Sequence, residues 1–314
     1  VNDLIRGKII FNNSELDDLI LLRSDGSPTY HLCNVVDDFE QKVTTVIRGE
    51  DHLSNTPRQI HIQNALQYPP LEYAHLPLVL GPDKKRLSKR HDATGLEEYQ
   101  SEGYLDSAIL NTLARLGWSK GDQEVFYMDD LIKNFNLADI QKAGAVFDRT
   151  KLDWLNTQHL ANLTLSDMKD QLKPYLSDLS IDIDNHFKVD LLIDSMRSSA
   201  NTLKGIAQDL VPYYKNVTKY DENAISKFID EEGIKILKEL RLILNQAESW
   251  DVDTLDKVLG DYQRDNNCPV PKVNQPIRIA LTGSTKSPSL GLTLSLYEKE
   301  DAIKRIDVLI SQIS

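Results

Sequence analysis

Cysteine is nearly absent. The 314 residues hold two, Cys33 and Cys268, far apart and without a C-x-x-C partner. They can build neither a disulfide framework nor a zinc ribbon, which suits a reducing cytoplasm. The seven histidines include no H-E-x-x-H pair, so no metal site is expected in this stretch. No run of about 18 apolar residues occurs, which rules out a membrane-spanning helix. Three signatures are missing as well: G-x-x-x-x-G-K-[ST], G-x-G-x-x-G behind a strand, and G-x-S-x-G. P-loop, dinucleotide-binding and nucleophile-elbow chemistry therefore lack support, and phosphate must be held by another device.

What is present is a chain with 40% hydrophobic residues, enough to bury a sizeable core in two or more domains. Its net charge is −12. Residues 1–160 carry 17 basic and 24 acidic side chains, and residues 161–314 carry 19 and 24. That balance argues mildly against nucleic-acid binding, although phosphates respond to local patches rather than to the total. The opening "VNDLIRGKII" has no apolar h-region, so no secretory leader is expected. It also lacks Met and starts inside a running element, which suggests the C-terminal part of something longer.

The first third reads as α/β. "PTYHLCNVVDD" is an extended apolar run after the turn signal "SDGSP", and "KVTTVIRGED" is β-branched and strand-like. "SNTPRQIHIQNALQY" offers Ser54, Asn55 and Thr56 as N-caps and Pro57 in the first turn of a helix. "AHLPLVLGPD" then delivers the chain to a basic loop. Strand, helix, strand and loop in that order resemble the second half of a nucleotide-binding sheet. From about residue 95 the periodicity is helical. "LEEYQSEGYLDSAILNTLARLGW" sets Leu105, Ile109, Leu113 and Leu116 at spacings of three and four and is expected to stop at Gly117. "MDDLIKNF", "DRTKLDWLNTQHL", "LSDMKDQLKPYL", "VDLLIDSM", "TLKGIAQDLVPYY", "ISKFIDEEGIKILKELRLILNQ", "DVDTLDKVLGDYQRD" and "KEDAIKRIDVLISQ" follow. Almost no strand signal appears after residue 160, and two small helical bundles meeting near "NVTKYDEN" are expected.

"GPDKKRLSKRHD", residues 81–92, gathers Lys84, Lys85, Arg86, Lys89 and Arg90 into seven positions of an acidic protein. A solvated turn is the bland explanation for a charge run. "RLSKRH" resembles the signature loop of class I aminoacyl-tRNA synthetases, in the K-L-S-K-R form of the glutamyl-tRNA synthetases. "SDGSPTYHLCNVVDD", "TTVIRGEDHLSNTPRQ", "HLPLVLGPDKKRLSKRH", "GAVFDRTKLDWLN" and "PIRIALTGSTKSPSLGLTLSLYEKEDAIKRI" resemble the same family, in its order and from end to end of the chain.

The resemblance implies a mixed, mostly α fold: the second half of a class I Rossmann-type α/β catalytic domain, then an all-α anticodon-binding region. The implied segments are 1–80, the C-terminal half of the catalytic domain; 81–163, the signature loop and a stem-contact domain; and 164–220 and 221–314, two anticodon-binding subdomains. It implies ATP, with Mg2+, L-glutamate and tRNA(Glu) as substrates, and a monomeric cytoplasmic ligase. A carboxylate attacks the α-phosphate of ATP and pyrophosphate leaves, so positioned cations lower the barrier as charge accumulates.

The implied phosphate clamp is Arg86, Leu87, Ser88, Lys89 and Arg90, with Lys89, Ser88 and Arg86 nearest the chemistry. Arg86 stands where the family usually has lysine, a planar fork instead of a point donor. Asp51 and Glu50 are placed at the ribose, His52 and Val79 near the adenine, and Tyr30, Asn34 and Arg48 in the glutamate pocket, where a guanidinium suits a carboxylate. Taken alone, Tyr30 reads as a core tyrosine and Arg48 as a surface ion pair. Trp154, Trp250, Tyr213 and Tyr214 could stack on bases, although most residues at helical spacing belong to a core.

Arg197 and Ser199 in "SMRSSANTLK" fall in the loop expected to read the last anticodon base. A second arginine belongs at position 199 in enzymes strict for tRNA(Glu). Serine discriminates less sharply, so tRNA(Gln) is a candidate second substrate. The family's H-I-G-H signature and its first glutamate-binding arginine are not among these residues, and the acceptor-end insertion, sometimes zinc-binding, falls largely upstream of residue 1. Two alternatives are a tRNA-binding module without catalysis and a relative that glutamylates a modified tRNA base.

Overall fold

A computed structural model describes residues 1–88 and 95–313. In chain order come β1 (Asn2–Asp3), β2 (Gly7–Lys8), α1 (Tyr30–Glu40), β3 (Thr45–Gly49), α2 (Thr56–Ala65), β4 (Glu72–Leu76) and β5 (Val79–Leu80). The sheet order is β2-β1-β4-β3, parallel throughout except for the β1–β2 pair. Thr45, Val46 and Ile47 supply the β-branched content that favours β3. Register decides the site: Arg48 on β3 lies opposite His75 on β4, and Asp3 on β1 opposite Tyr73, two residues earlier on β4.

The run "PTYHLCNVVDD" is a helix, not a strand. Leu32, Val35, Val36 and Phe39 recur at helical spacing, and that period prevails over the strand preference of two adjacent valines. The long helix expected from residue 96 is two, α3 (Leu96–Glu102) and α4 (Asp106–Arg115). Gly103 parts them at φ +88°, and its carbonyl accepts the Leu203 amide at 2.9 Å. A β-carbon there would meet the Lys204 nitrogen at 2.4 Å, so only glycine fits.

Next come α5 (Met128–Asn134), β6 (Ala145–Val146), parallel to β5, and α6 (Arg149–Ala161). The chain forms two compact units: Val1–Leu96 with Asp106–Leu155, and Glu97–Leu105 with Asn156 onward. In the first, Ile5, Ala74, Trp118, Phe126 and Ile140 make one buried cluster. Burying a large apolar side chain contributes roughly 1.5–3 kcal/mol.

The second unit continues with α7 (Leu165–Asp178), α8 (Val189–Met196), α9 (Leu203–Tyr214), α10 (Glu222–Phe228), α11 (Glu231–Asn245), α12 (Val252–Asp265), α13 (Val270–Thr282), α14 (Leu290–Ser295) and α15 (Lys299–Ile313). Thr164, Thr202, Asp221, Asp230 and Asp251 cap helices by accepting first-turn amides. The Asp230 cap starts α11 and divides the single helix expected over "ISKFIDEEGIKILKELRLILNQ". Helices α13 and α14 were not expected, because Pro276 inside the first and Gly291 in the second discourage the assignment. Burial of Val273, Ile277, Ala280, Leu281, Leu290 and Leu294 overrides those weak propensities.

Candidate active site

At the carboxyl end of β3, residues 48–56 hold most of the polar side chains of interest. Arg48 donates through Nε to His75 Nε2 at 3.1 Å and through Nη2 to Thr56 Oγ1 at 2.9 Å. Its guanidinium carbon lies 5.8 Å from the centre of the Tyr73 ring. His75, fully buried, meets Asp3 Oδ2 through Nδ1 at 2.6 Å. Asp3 also accepts the amides of Ile5, Arg6 and His75. Burial pushes the Asp3 carboxyl up, but the bonds from Arg6, His75 and Ile5 outweigh it and hold the group below its ordinary value.

Asn34, one turn along α1 from Tyr30, accepts from Gln59 Nε2 at 3.0 Å. It lines a cavity of about 210 Å³ with Asp38, Gln59, Gln63 and Tyr73. Burial raises the Asp38 carboxyl there, only partly countered by Arg48. Tyr30 is half exposed, and its hydroxyl lies 3.4 Å from His52 Nδ1, which also meets Asn55 Nδ2 at 3.2 Å. Glu50 is engaged internally, accepting the Leu78 amide at 3.1 Å and pairing with Arg6. Asp51 pairs with Arg86 at 3.0 Å.

Arg86 belongs to a hairpin. Leu80 and Arg86 form an antiparallel bridge, Leu87 donates its amide to the Val79 carbonyl at 2.8 Å, and Gly81 donates to Lys85 at 2.7 Å. Lys84 takes φ +60° at the tip. The basic loop is therefore anchored to the end of β5. The anchoring brings Val79, Leu87 and Arg86 into one piece with Asp51, and Ser88 follows at its end. Lys89 and Arg90 lie outside the described residues.

In the second unit, Arg197 ends α8 and is turned inward, donating to Asp194 at 2.8 Å and to the Leu163 carbonyl. Ser199 lies beside Asp209 in a cavity of about 280 Å³ lined also by Ser195, Ser198, Lys286 and Ser287. Burial raises the Asp209 carboxyl, with the neighbouring Ser199 hydroxyl and Lys286 opposing. Tyr213 is buried and stacked on Tyr297 with ring centres 5.2 Å apart, and burial pushes its hydroxyl to about 12. Tyr214 donates to the Ile183 carbonyl, and Trp250 to those of Leu294 and Tyr297. Of the four aromatics considered for base stacking, Trp154, in the first unit, is the exposed one at 45%.

Two family models divide the chain between them. One, described as tRNA synthetases class I (E and Q), catalytic domain, matches residues 1–154, and one described as anticodon binding domain matches 164–310. The chain is 42% identical over 313 residues to a glutamate–tRNA ligase of Thermodesulfovibrio yellowstonii, covering 98% of this chain and 67% of that protein. The chain belongs to the glutamate–tRNA ligase family. A family member from Halorhodospira halophila is 41% identical over 306 residues, covering 98% of this chain and 65% of its own. The solved glutamate tRNA ligase of Elizabethkingia meningosepticum, in complex with its amino acid, matches with a TM-score of 0.85 at 31% identity, over 100% of this chain and 66% of that one. The chain thus spans about two thirds of the length of the ligases it matches.

Against that family, the architecture is as expected: part of a class I catalytic domain and a helical anticodon-binding domain. Sequence reasoning missed the residues behind the site, namely Asp3, His75, Thr56 and Gln59. Their partners are 72, 27, 8 and 25 positions away, so no local pattern joins them. The one available signal was His75 itself, a polar side chain inside the apolar strand "YAHLPL". No group of His, Cys, Asp or Glu arranged to hold a metal occurs among the described residues, and none of their helices is long and apolar enough to cross a membrane.

Proposed function

We propose that this chain carries the glutamate- and ATP-contacting residues and the anticodon-contacting helices of a ligase that joins L-glutamate to tRNA(Glu). The observation that carries the reading is the convergence on residues 48–56. One short stretch touches Tyr30 on α1, His75 on β4 and Arg86 on the basic hairpin. A glutamate carboxylate oxygen attacks the α-phosphorus of ATP, the bond to pyrophosphate breaks, and a hydroxyl of the tRNA's terminal adenosine then displaces AMP. Arg48 takes a substrate carboxylate, with Tyr30 and Asn34 beside it. Asp51 accepts from the ribose, and His52 and Val79 border the adenine. Arg86, Leu87, Ser88, Lys89 and Arg90 surround the phosphates and their Mg2+ as a bound substrate pair. Glu50 serves the site by fixing the chain at Leu78, since both its oxygens have internal partners.

The proposal extends to tRNA choice. Position 199 is a serine beside Asp209 and Arg197 is held by Asp194, so neither supplies an outward fork for cytosine; charging of tRNA(Gln) follows. The relative that modifies a tRNA base lacks the helical half, and a match over 164–310 counts against it. A four-part division at 80, 163 and 220 and a cytoplasmic monomer belong to the same reading. Glutamate-dependent ATP–pyrophosphate exchange by the full-length protein tests it. Arg48→Ala is expected to raise the glutamate KM. Exchange with no dependence on glutamate, or an unchanged KM, overturns the assignment. The module without catalysis is supported only if tRNA binds and no exchange occurs.

A further inference from the structure

Asp3, His75, Thr56 and Arg48 form one continuous hydrogen-bonded chain across three adjacent strands and the start of α2. An arginine can only donate. His75 Nε2, 3.1 Å from Arg48 Nε, therefore has no proton of its own and accepts. The ring proton sits on Nδ1 and is donated to Asp3 Oδ2 at 2.6 Å. Thr56 Oγ1 accepts from Arg48 Nη2 at 2.9 Å and lies 3.2 Å from the same Nε2, whose single lone pair faces the Arg48 N–H. Every donor thus points one way, from arginine to histidine to aspartate. Asp3 is fixed in turn by three backbone amides, and His75 and Thr56 are fully buried. Of the five N–H bonds of a guanidinium, those left on Nη1 and Nη2 remain for a carboxylate.

We propose that Asp3, His75 and Thr56 are positioning residues that fix the direction of the Arg48 guanidinium, and through it the seat of the substrate carboxylate. The proposal rests on the reading of Arg48 as a substrate-carboxylate ligand. The aspartate selects the ring tautomer, and the tautomer selects the arginine's orientation. An amide in place of the aspartate keeps the shape and reverses the polarity: its N–H faces Nδ1, the ring proton moves to Nε2, and two N–H bonds then oppose each other at Arg48.

The test uses the full-length protein in ATP–pyrophosphate exchange, with KM measured separately for glutamate and ATP. Asp3→Asn is expected to raise the glutamate KM roughly 10–100-fold, the size found for partners that orient metal-ligating side chains, with the ATP KM within about twofold of the original. His75→Gln, which returns an amide oxygen to the Nε2 position, is expected to recover most of the loss caused by His75→Leu. In an Arg48→Ala background Asp3→Asn should add nothing. If Arg48→Ala raises the glutamate KM while Asp3→Asn, folded, leaves it unchanged, the relay is overturned and the reading of Arg48 stands. If Arg48→Ala changes nothing, both fall. Nitrogen-15 shifts of His75 in the unmutated protein decide the matter even where variants fail to fold: a proton on Nδ1 supports the relay, and a proton on Nε2 overturns it.

Discussion

Gly49→Ala tests the proposed placement of Asp51 at the nucleotide. Gly49 has φ −65° and ψ 148°, which alanine adopts without strain. The new β-carbon would lie 2.5 Å from Asp51 Oδ1, so the carboxylate must swing away. Asp51 can do this because it is only partly buried, at 30% side-chain exposure, and its partner Arg86 is largely in solvent. Losing a surface ion pair costs about 0–1 kcal/mol. Replacing a glycine at compatible angles contributes about 0.4–1 kcal/mol through the unfolded chain. The two nearly cancel, and the melting temperature should barely change. Binding of ATP should suffer. A hydrogen bond to a charged group contributes about 1.5–3 kcal/mol, so the ATP KM should rise roughly 10–150-fold. Pyrophosphate exchange with varied ATP at saturating glutamate measures it, with calorimetry as the control for folding. In an Asp51→Ala background the glycine substitution should have no further effect. A folded Gly49→Ala protein with an unaltered ATP KM, or with an equal rise in the glutamate KM, refutes the assignment of Asp51.

Lys89→Ala should slow adenylate formation by roughly 10²–10³-fold with little change in glutamate affinity, as for loss of one preorganised donor; an unchanged rate in single-turnover assays removes Lys89 from the chemistry. Ser199→Arg should widen the preference for tRNA(Glu) over tRNA(Gln) by up to roughly 1–3 kcal/mol of discrimination, measured by charging both transcripts; strong rejection of tRNA(Gln) by the unmutated protein, unaltered in the variant, defeats it. Gly103→Ala puts a β-carbon against the Lys204 backbone at positive φ and should destabilise by about 1–3 kcal/mol in denaturant titration. Burial holds His159 and His186 below the ordinary 6.5. The unfolded chain then binds protons that the folded chain refuses, so stability is intact above about pH 6.5 and falls as pH drops through the folded values. Thermal melts at pH 7.5 and 5.5 should show the loss, and equal midpoints would contradict it.

Most elements were legible because their signals are local. β3 follows from its β-branched residues, α2 from Pro57 in its first turn, although Asn55 before it makes no side-chain cap bond, and α11 and α15 from apolar spacing. The failures came where two local signals compete. Tyr30–Glu40 offers adjacent valines and a helical period at once, and the residues from 96 to 116 hide a break whose cause is the close approach of Leu203 and Lys204 to Gly103.

The same division separates the site's parts. The basic cluster at 84–90, the "RGED" turn and the order of five family blocks are properties of short stretches, and they were enough to indicate the class I family. The hairpin that ties Arg86 to Asp51, the inward turn of Arg197, and the Asp3–His75–Arg48 chain belong to no stretch. The last of these exists because parallel pairing of β1, β4 and β3 sets residues 3, 75 and 48 on neighbouring strands, where burial makes each polar group find a partner. Sequence alone determined the family and which side chains are available to a site. Strand register and burial, properties of the folded sheet, decided which of them meet and in which direction each hydrogen bond points.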